Sequence, residues 1–438
     1  MRGIKRKIAG TDGTTGTNGT NGTTGTDGTD GTAGTNGTEK SRMSRMSRMS
    51  HMSRKSHMPE GWKMVNLGEV SVDGGHYGIG APAVEYDDRL PTYLRITDIR
   101  DDGSVCKEGL KSVDSEEAEE YYLKPNDLVI ARTGASTGRN YFYDGRDGNL
   151  VYAGFLIKFS IDENKIWPPY VKYWFKGNEY RSWLNNHTDG STRANINAVT
   201  LAECPIRVPE SLPTQRKIAA VLGAIDDKIE NNRKICANLE AQAQALFKSW
   251  FVDFEPFGGK MPDGWKMGKL GEVAEITSGK RPPTRANEKD CENRYPLLGA
   301  SCIMGYTSEF MYEEPILVTG RVGTHGVIQR SCEKCWPSDN TLVLKAEYYE
   351  FVYQLLLKVD YSLMNRGSTQ PLITQSDLKG VAIIRPDETI LKEFEGRAST
   401  LMSMILEKDR QSRALAELRD ALLPRLMSGE IDVSEVAV

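Results

Sequence analysis

The sequence predicts an α+β protein: two duplicated β-rich domains with pseudo-twofold symmetry, separated by two long helices packed as an antiparallel coiled coil. Three observations predict it. Two distant stretches carry the same seven-residue apolar pattern, a thirteen-residue opening occurs twice, and a second motif occurs twice just ahead of those stretches.

The first long stretch runs from Leu212 to Phe251. At helical spacing Ile218, Ile225, Asn232, Leu239 and Leu246 form one column, and Leu222, Ile229, Cys236, Ala243 and Trp250 a second. These are the two seams of a heptad. Pro213 suits the first turn, where a missing backbone donor is harmless. Such a helix is on the order of 58 Å long, and its narrow apolar stripe needs a partner helix. Glu388 to Ile431 supplies one. There Phe394, Leu401, Lys408, Leu415 and Leu422 match the first column, and Ala398, Ile405, Ser412, Arg419 and Leu426 the second. Lys408 stands where Asn232 stands; a polar residue in a seam lowers stability but fixes register and orientation.

Ahead of both helices, residues 10–39 are Gly-Thr-X triplets and residues 41–58 are Ser-X-X triplets. Without proline a collagen-like triple helix does not form, and the composition cannot bury a core, so residues 1–57 read as a disordered leader. MPEGWKMVNLGEV, from Met58 to Val70, returns as MPDGWKMGKLGEV from Met261 to Val273, 203 residues later. Gly190 to Pro209 returns as Gly367 to Pro386, at an offset of 177. The lost residues fall inside two variable bodies, so one scaffold displays two different surfaces. The divisions are 1–57, 58–211, 212–255, 256–388 and 389–430.

Within the bodies, Thr92 to Ile99 and Leu150 to Ile161 read as strands by their β-branched and aromatic content. Asp127 to Arg139 and Pro315 to Gly326 read as a strand followed by a Gly-rich loop. Pro169 to Leu184 and Glu347 to Met364 read as helices.

Hydrophobic content of 39% and charge of 26% describe an ordinary soluble chain, with no apolar run of membrane-spanning length and no signal peptide. Together with seven cysteines lacking framework spacing, this points to the cytoplasm. Net charge is −4, and the first 58 residues hold ten Lys/Arg against four Asp/Glu. The remainder is therefore acidic, and any contact with nucleic acid must come from local basic patches or a basic partner.

The chemistry-bearing motifs are few. Trp167-Pro168-Pro169-Tyr170 resembles the loop of amino-methyltransferases, but Trp167 cannot hold a target amino group, and the motif reads as a helix start. Cys332-x-x-Cys335, with Cys291 and Cys302 upstream, is too sparse for a zinc site, so no metal is expected. No catalytic set, P-loop or dinucleotide fingerprint is present. The Gly-rich loops carry Arg132, Arg139, Arg321 and His325, which either face a DNA backbone or flank structural turns. The two Gly-Ser-Thr loops carry Arg193, Asn195 and Asn197, and Arg366 and Gln370. They either read bases or belong to helix caps.

Taken together, the duplicated W-K-x-x-x-L-G-E-V openings, the DLVIARTGA loop, the GSTRANI segment and the LPTQRKIAAVLGAIDDKI helix resemble the specificity subunit of type I restriction–modification systems, over roughly residues 58–430. The resemblance implies two target-recognition domains, 58–211 and 256–388, each reading half of a split double-stranded DNA site. It implies spacer helices at 212–255 and 389–430 that dock two modification (methyltransferase) subunits and restriction subunits. It also implies no catalysis by the chain itself: S-adenosylmethionine, ATP and magnesium would be bound by those partners. Two other readings stand beside it, a coiled-coil scaffold without DNA specificity and a self-contained DNA methyltransferase.

Overall fold

The computed structural model describes residues 58–188, 194–322, 326–364 and 372–437. The leader, and within the two Gly-Ser-Thr loops Gly190, Arg193, Gly367, Arg366 and Gln370, lie outside them.

The first half contains β1 (Trp62–Asn66), β2 (His76–Tyr77), β3 (Ala83–Val84), β4 (Thr92–Leu94) and β5 (Lys111–Val113). It continues with β6 (Asp127–Ala131), β7 (Asn140–Tyr143), β8 (Leu150–Tyr152) and β9 (Leu156–Ser160). Helices α1 (Pro168–Trp174), α2 (Asn178–His187) and α3 (Ala198–Ala202) lead to β10 (Pro205–Pro209) and the long helix α4 (Leu212–Phe251). The second half repeats the plan. It has β11 (Lys266–Lys269), β12 (Ala274–Ser278), β13 (Tyr295–Leu298), β14 (Ile303–Thr307) and β15 (Ile316–Gly320). Then come β16 (Ile328–Ser331), β17 (Trp336–Pro337), β18 (Thr341–Ala346), α5 (Tyr349–Lys358), α6 (Gln375–Lys379), β19 (Ala382–Arg385) and the long helix α7 (Glu388–Met427).

The duplicated motifs meet in space. In the first half β1 pairs antiparallel with β10, and in the second β11 pairs with β19, so each half is closed by its opening against its end. The register is shared: Lys63 faces Val208 as Lys266 faces Arg385. Each letter of L-G-E has its reason. Leu67 and Leu270 are fully buried. A side chain on Gly68 would stand 3.0 Å from the Ala202 Cβ, and one on Gly271 3.0 Å from that of Lys379, so either would push the short helix end away. Glu69 accepts from the Asn66 N–H at 2.9 Å, and Glu272 from that of Lys269 at 3.2 Å.

The main sheets also correspond, with order β2-β9-β6-β7 in the first half and β12-β18-β15-β16 in the second. Strands β6 and β15 are central and buried along their whole length, which explains their unbroken apolar runs.

Several elements are shorter than their sequence pattern. The strand beginning at Thr92 stops at Leu94, because the Asp98 carboxylate accepts from both the backbone and the guanidinium of Arg95. Leu150–Ile161 divides at Gly154, and its two parts join different sheets. The helix read from Pro169 to Leu184 breaks at Gly177, while Pro168 starts α1 as the Trp-Pro-Pro-Tyr reading requires.

Helices α4 and α7 span forty residues each. Their contacts run in opposite chain directions: Asp226 meets Arg419, Asn232 meets Ser412, Cys236 meets Ile405 and Phe247 meets Phe394. Ile218, Leu222, Ile229, Asn232, Leu239, Phe394 and Ile405 are buried, whereas Ile225, Leu246, Leu401, Lys408, Leu415 and Leu422 are half-buried. Toward the C-terminal ends the buried face moves on by one residue, from Leu246 to Phe247 and from Leu422 to Leu423, whereas Ile218 and Phe394 near the N-terminal ends stay buried in the predicted column. There the helices enter the domain cores. Ile218, Leu222, Leu423 and Leu426 complete the core of the first half, and Phe247, Phe251, Phe394 and Ala398 that of the second. Beyond α7 the chain returns to the first half, where Ile431, Val433 and Val436 join its core and Gly429 rests against Trp62 and Pro59.

Candidate nucleic-acid interface

The loop after β6 is built by its glycines. Gly134 and Gly138 have φ of 74° and 85°, the left-handed region that other residues avoid. The backbone N–H groups of Gly134, Thr137, Gly138 and Arg139 donate to Ala194, Gly134, Ala131 and Ser136, so these amides are committed within the protein. That argues against a backbone cradle for phosphate at this loop and leaves its side chains as the means of contact.

Arg132, at the end of β6, is fixed on both sides. Its N–H donates to the Phe155 carbonyl at 3.0 Å, and its own carbonyl accepts from Ile196 at 2.9 Å. The guanidinium lies 4.8 Å from the centroid of the Tyr77 ring, an arrangement that orients a cation over an aromatic face. Its Nε is buried without a hydrogen-bond acceptor among the described residues. Asn195 is exposed and bridges to Thr133, which brings the tail of the Gly-Ser-Thr loop beside Arg132.

The other selected residues fare differently. Arg139 donates to Asp101 at 2.6 Å and 3.2 Å, so an acid already balances its charge. Asn197 caps α3 by accepting from the Thr200 N–H at 2.8 Å. Thr374, at the same place in the second half, caps α6 with its own side chain, so capping accounts for the polar residue at both positions. Arg321 ends β15 as Arg132 ends β6, and its side chain has no hydrogen bond or ion pair among the described residues. Arg193, His325, Arg366 and Gln370 lie outside those residues.

Sequence reasoning missed the aromatic members of this surface. Tyr77 is 42% exposed and Phe155 61% exposed, both beside Arg132. Their signal was faint: two aromatics standing at strand ends, where packing would favour burial. Of the four cysteines weighed for zinc, Cys335 is buried and Cys291 and Cys302 are exposed. Among the described residues no three metal-ligating side chains gather.

Comparison with known proteins identifies the family. Residues 59–241 and 262–395 each match the family described as type I restriction modification DNA specificity domain. The type I restriction enzyme MjaIX specificity subunit of Methanocaldococcus jannaschii is 29% identical, over 63% of this chain and 72% of its own. The HindI specificity subunit of Haemophilus influenzae is 22% identical, over 70% and 87%. Among solved structures, a type I restriction–modification system S subunit from M. genitalium superposes with a TM-score of 0.51 at 16% identity, covering 83% of this chain and 96% of that one.

Proposed function

The chain belongs to the type I restriction modification DNA specificity family, and from that premise we infer how it works. It is a non-catalytic DNA-recognition subunit. Each half reads one part of a bipartite duplex site, with 58–211 and 256–388 as the target-recognition domains. The helices α4 and α7 act as an antiparallel coiled-coil spacer. They dock two modification subunits and, through the complex, restriction subunits, which bring S-adenosylmethionine, ATP and magnesium. The site of action is the cytoplasm; among the described residues no helix is long and apolar enough to cross a membrane.

The observation that carries this reading is the double match to one family, on two halves that share a frame and differ in their exposed loops. Length supports it. From Leu222, where α4 leaves the first core, to Phe247, where it enters the second, the helix advances on the order of 38 Å. That is close to one turn of duplex, about 34 Å. Joining two short half-sites rigidly converts weak contacts into one tight site. The acidic balance of the folded chain is bearable where partner subunits supply the phosphate contacts.

Selection from a random duplex pool by the chain with its modification subunit tests the reading. A consensus in two parts with a fixed gap is expected. Inserting one heptad into each helix lengthens that gap by about 3 bp and leaves both half-sites unchanged. A single contiguous consensus removes the two-reader arrangement, and no consensus at all favours a scaffold that binds protein only.

A further inference from the structure

One hydrogen-bond network occurs in both halves and pairs positions inside the variable bodies. The Gly78 N–H donates to Leu156 as that of Gly279 does to Thr341. The Arg132 N–H donates to Phe155 as that of Arg321 does to Asn340, and the Ile196 N–H donates to Arg132 as that of Ile373 does to Arg321. In the adjoining ladders Tyr77 faces Ile157 as Ser278 faces Leu342. These bonds equate Tyr77 with Ser278, Arg132 with Arg321, and Phe155 with Asn340.

The central residue is arginine in both halves, and the side chains at the two flanking positions differ. Beside Arg132 stand the Tyr77 ring and the exposed Phe155. At the positions equivalent to Tyr77 and Phe155 the second half has Ser278, whose hydroxyl accepts from Gln375 Nε2 at 2.9 Å, and the exposed Asn340. A phenylalanine that is 61% exposed adds little to the core, so the fold does not explain it.

We propose that Arg132 and Arg321 are equivalent groove-reading arginines, one per half-site, and that positions 77/278 and 155/340 make the two half-sites different. This rests on the DNA-recognition reading above. Arginine held flat pairs bidentately with guanine O6 and N7. Phe155 offers an apolar face to a thymine methyl group, whereas the Asn340 amide matches adenine N6 and N7. The half-site of the first domain therefore has thymine beside guanine, and that of the second has adenine beside guanine. Tyr77 confines Arg132 to one plane; Ser278 leaves Arg321 to turn.

The test is selection from a random duplex pool by the full chain with its modification subunit. Phe155→Asn alters a side chain that is 61% exposed, so folding should be preserved. It should shift base preference at one position of the first half-site by about tenfold and leave the second unchanged. Asn340→Phe should do the reverse. Arg132→Lys keeps the charge but loses the fork and should flatten a position in the first half-site only; Arg321→Lys should do so in the second. Unchanged preferences in both exposed-residue variants overturn the proposal, as does an effect of both arginine variants on the same half-site. If the unaltered complex selects no sequence, the DNA-recognition reading itself fails, and this proposal with it.

Discussion

The two places where the domains grip the long helices share a plan and invert its charge. At the first, Asp226 on α4 lies between Lys176 at 3.3 Å and Arg419 of α7 at 2.9 Å, and Tyr173 donates to it at 3.1 Å. One acid sits between two bases. At the second, Arg330 on β16 lies between Glu240 of α4 at 2.9 Å and Glu350 of α5 at 3.7 Å, with the Tyr353 ring 3.5 Å away and the Met402 sulfur of α7 against it. One base sits between two acids. The surrounding cores differ as well: the first is aliphatic along the helices, while the second packs Phe247, Trp250, Phe251, Phe351 and Phe394 edge-on and tilted against one another. Each end holds a largely buried charge beside a tyrosine, of opposite sign and on a different element, α4 in one and β16 in the other. The two ends should therefore respond in opposite ways to acid.

The largest test of that contrast is Arg330→Met. It strands the buried Glu350 beside the half-buried Glu240, and about 3–5 kcal/mol of stability should be lost, read from denaturant unfolding. A loss below about 1 kcal/mol would mean the charge cluster does not hold the second grip. Phe394→Ala removes the ring that four aromatic neighbours share and should cost about 4 kcal/mol. Ile218→Ala, at the matching position of the aliphatic end, should cost about 3 kcal/mol, and a reversed order would erase the distinction between the cores.

Next comes pH. Burial pushes Glu350 up to about 7 against the attraction of Arg330, with Glu395 and Glu240 pushing the same way. The folded protein then keeps a proton that the unfolded chain releases near its ordinary value of 4.5, so stability falls as pH rises from 4.5 to 7. The effect should be roughly 2–3 kcal/mol and should vanish in Glu350→Gln. Asp226 behaves oppositely. Burial alone would raise it, but Lys176 and Arg419 hold it below its ordinary 3.8, so its contribution is complete above that value and is lost on further acidification. Calorimetry from pH 3 to pH 8 should show the two slopes, and a single slope of either sign would contradict the inversion.

The smallest effect belongs midway between the ends. Asn232 is fully buried, donates to Ser412 at 3.3 Å and leaves its amide oxygen without a hydrogen bond among the described residues. Asn232→Leu should change stability by less than about 1.5 kcal/mol, in either direction. A loss above 3 kcal/mol would show the helix centre to be as tightly built as its ends.

Much of the frame was legible in the sequence because its signals are local or repeated. The heptad columns predicted two long helices, and the repeated openings and endings exposed the duplication. Which repeat pairs with which was hidden: Lys63 facing Val208 is a contact across most of a domain, and such pairing leaves no periodic trace. One column of the seam was read one residue off at the C-terminal ends of α4 and α7, where they enter the cores. There the helices face a domain rather than each other, and a 3.6-residue helix turns away from a 3.5-residue seam unless supercoiling holds it. At the candidate interface, Arg132 and Arg321 stood out as cations near glycines. Asn197 looked like a base reader because capping and base contact draw on the same short polar side chains. Tyr77 and Phe155 passed unnoticed, since only the fold reveals that they face solvent.

The segment after α7 is covered by what lies at the other end of the folded chain. A helix usually unravels from its tip, where its last carbonyls are unbonded. The tip of α7 instead lies under Trp62, with Val433 in a core it does not share in sequence and the Lys217 amine bonded to the Ser434 carbonyl. Amide protons in its last turn can therefore exchange with solvent only when the first domain opens, and unzipping of the rod must start from a domain rather than from its end.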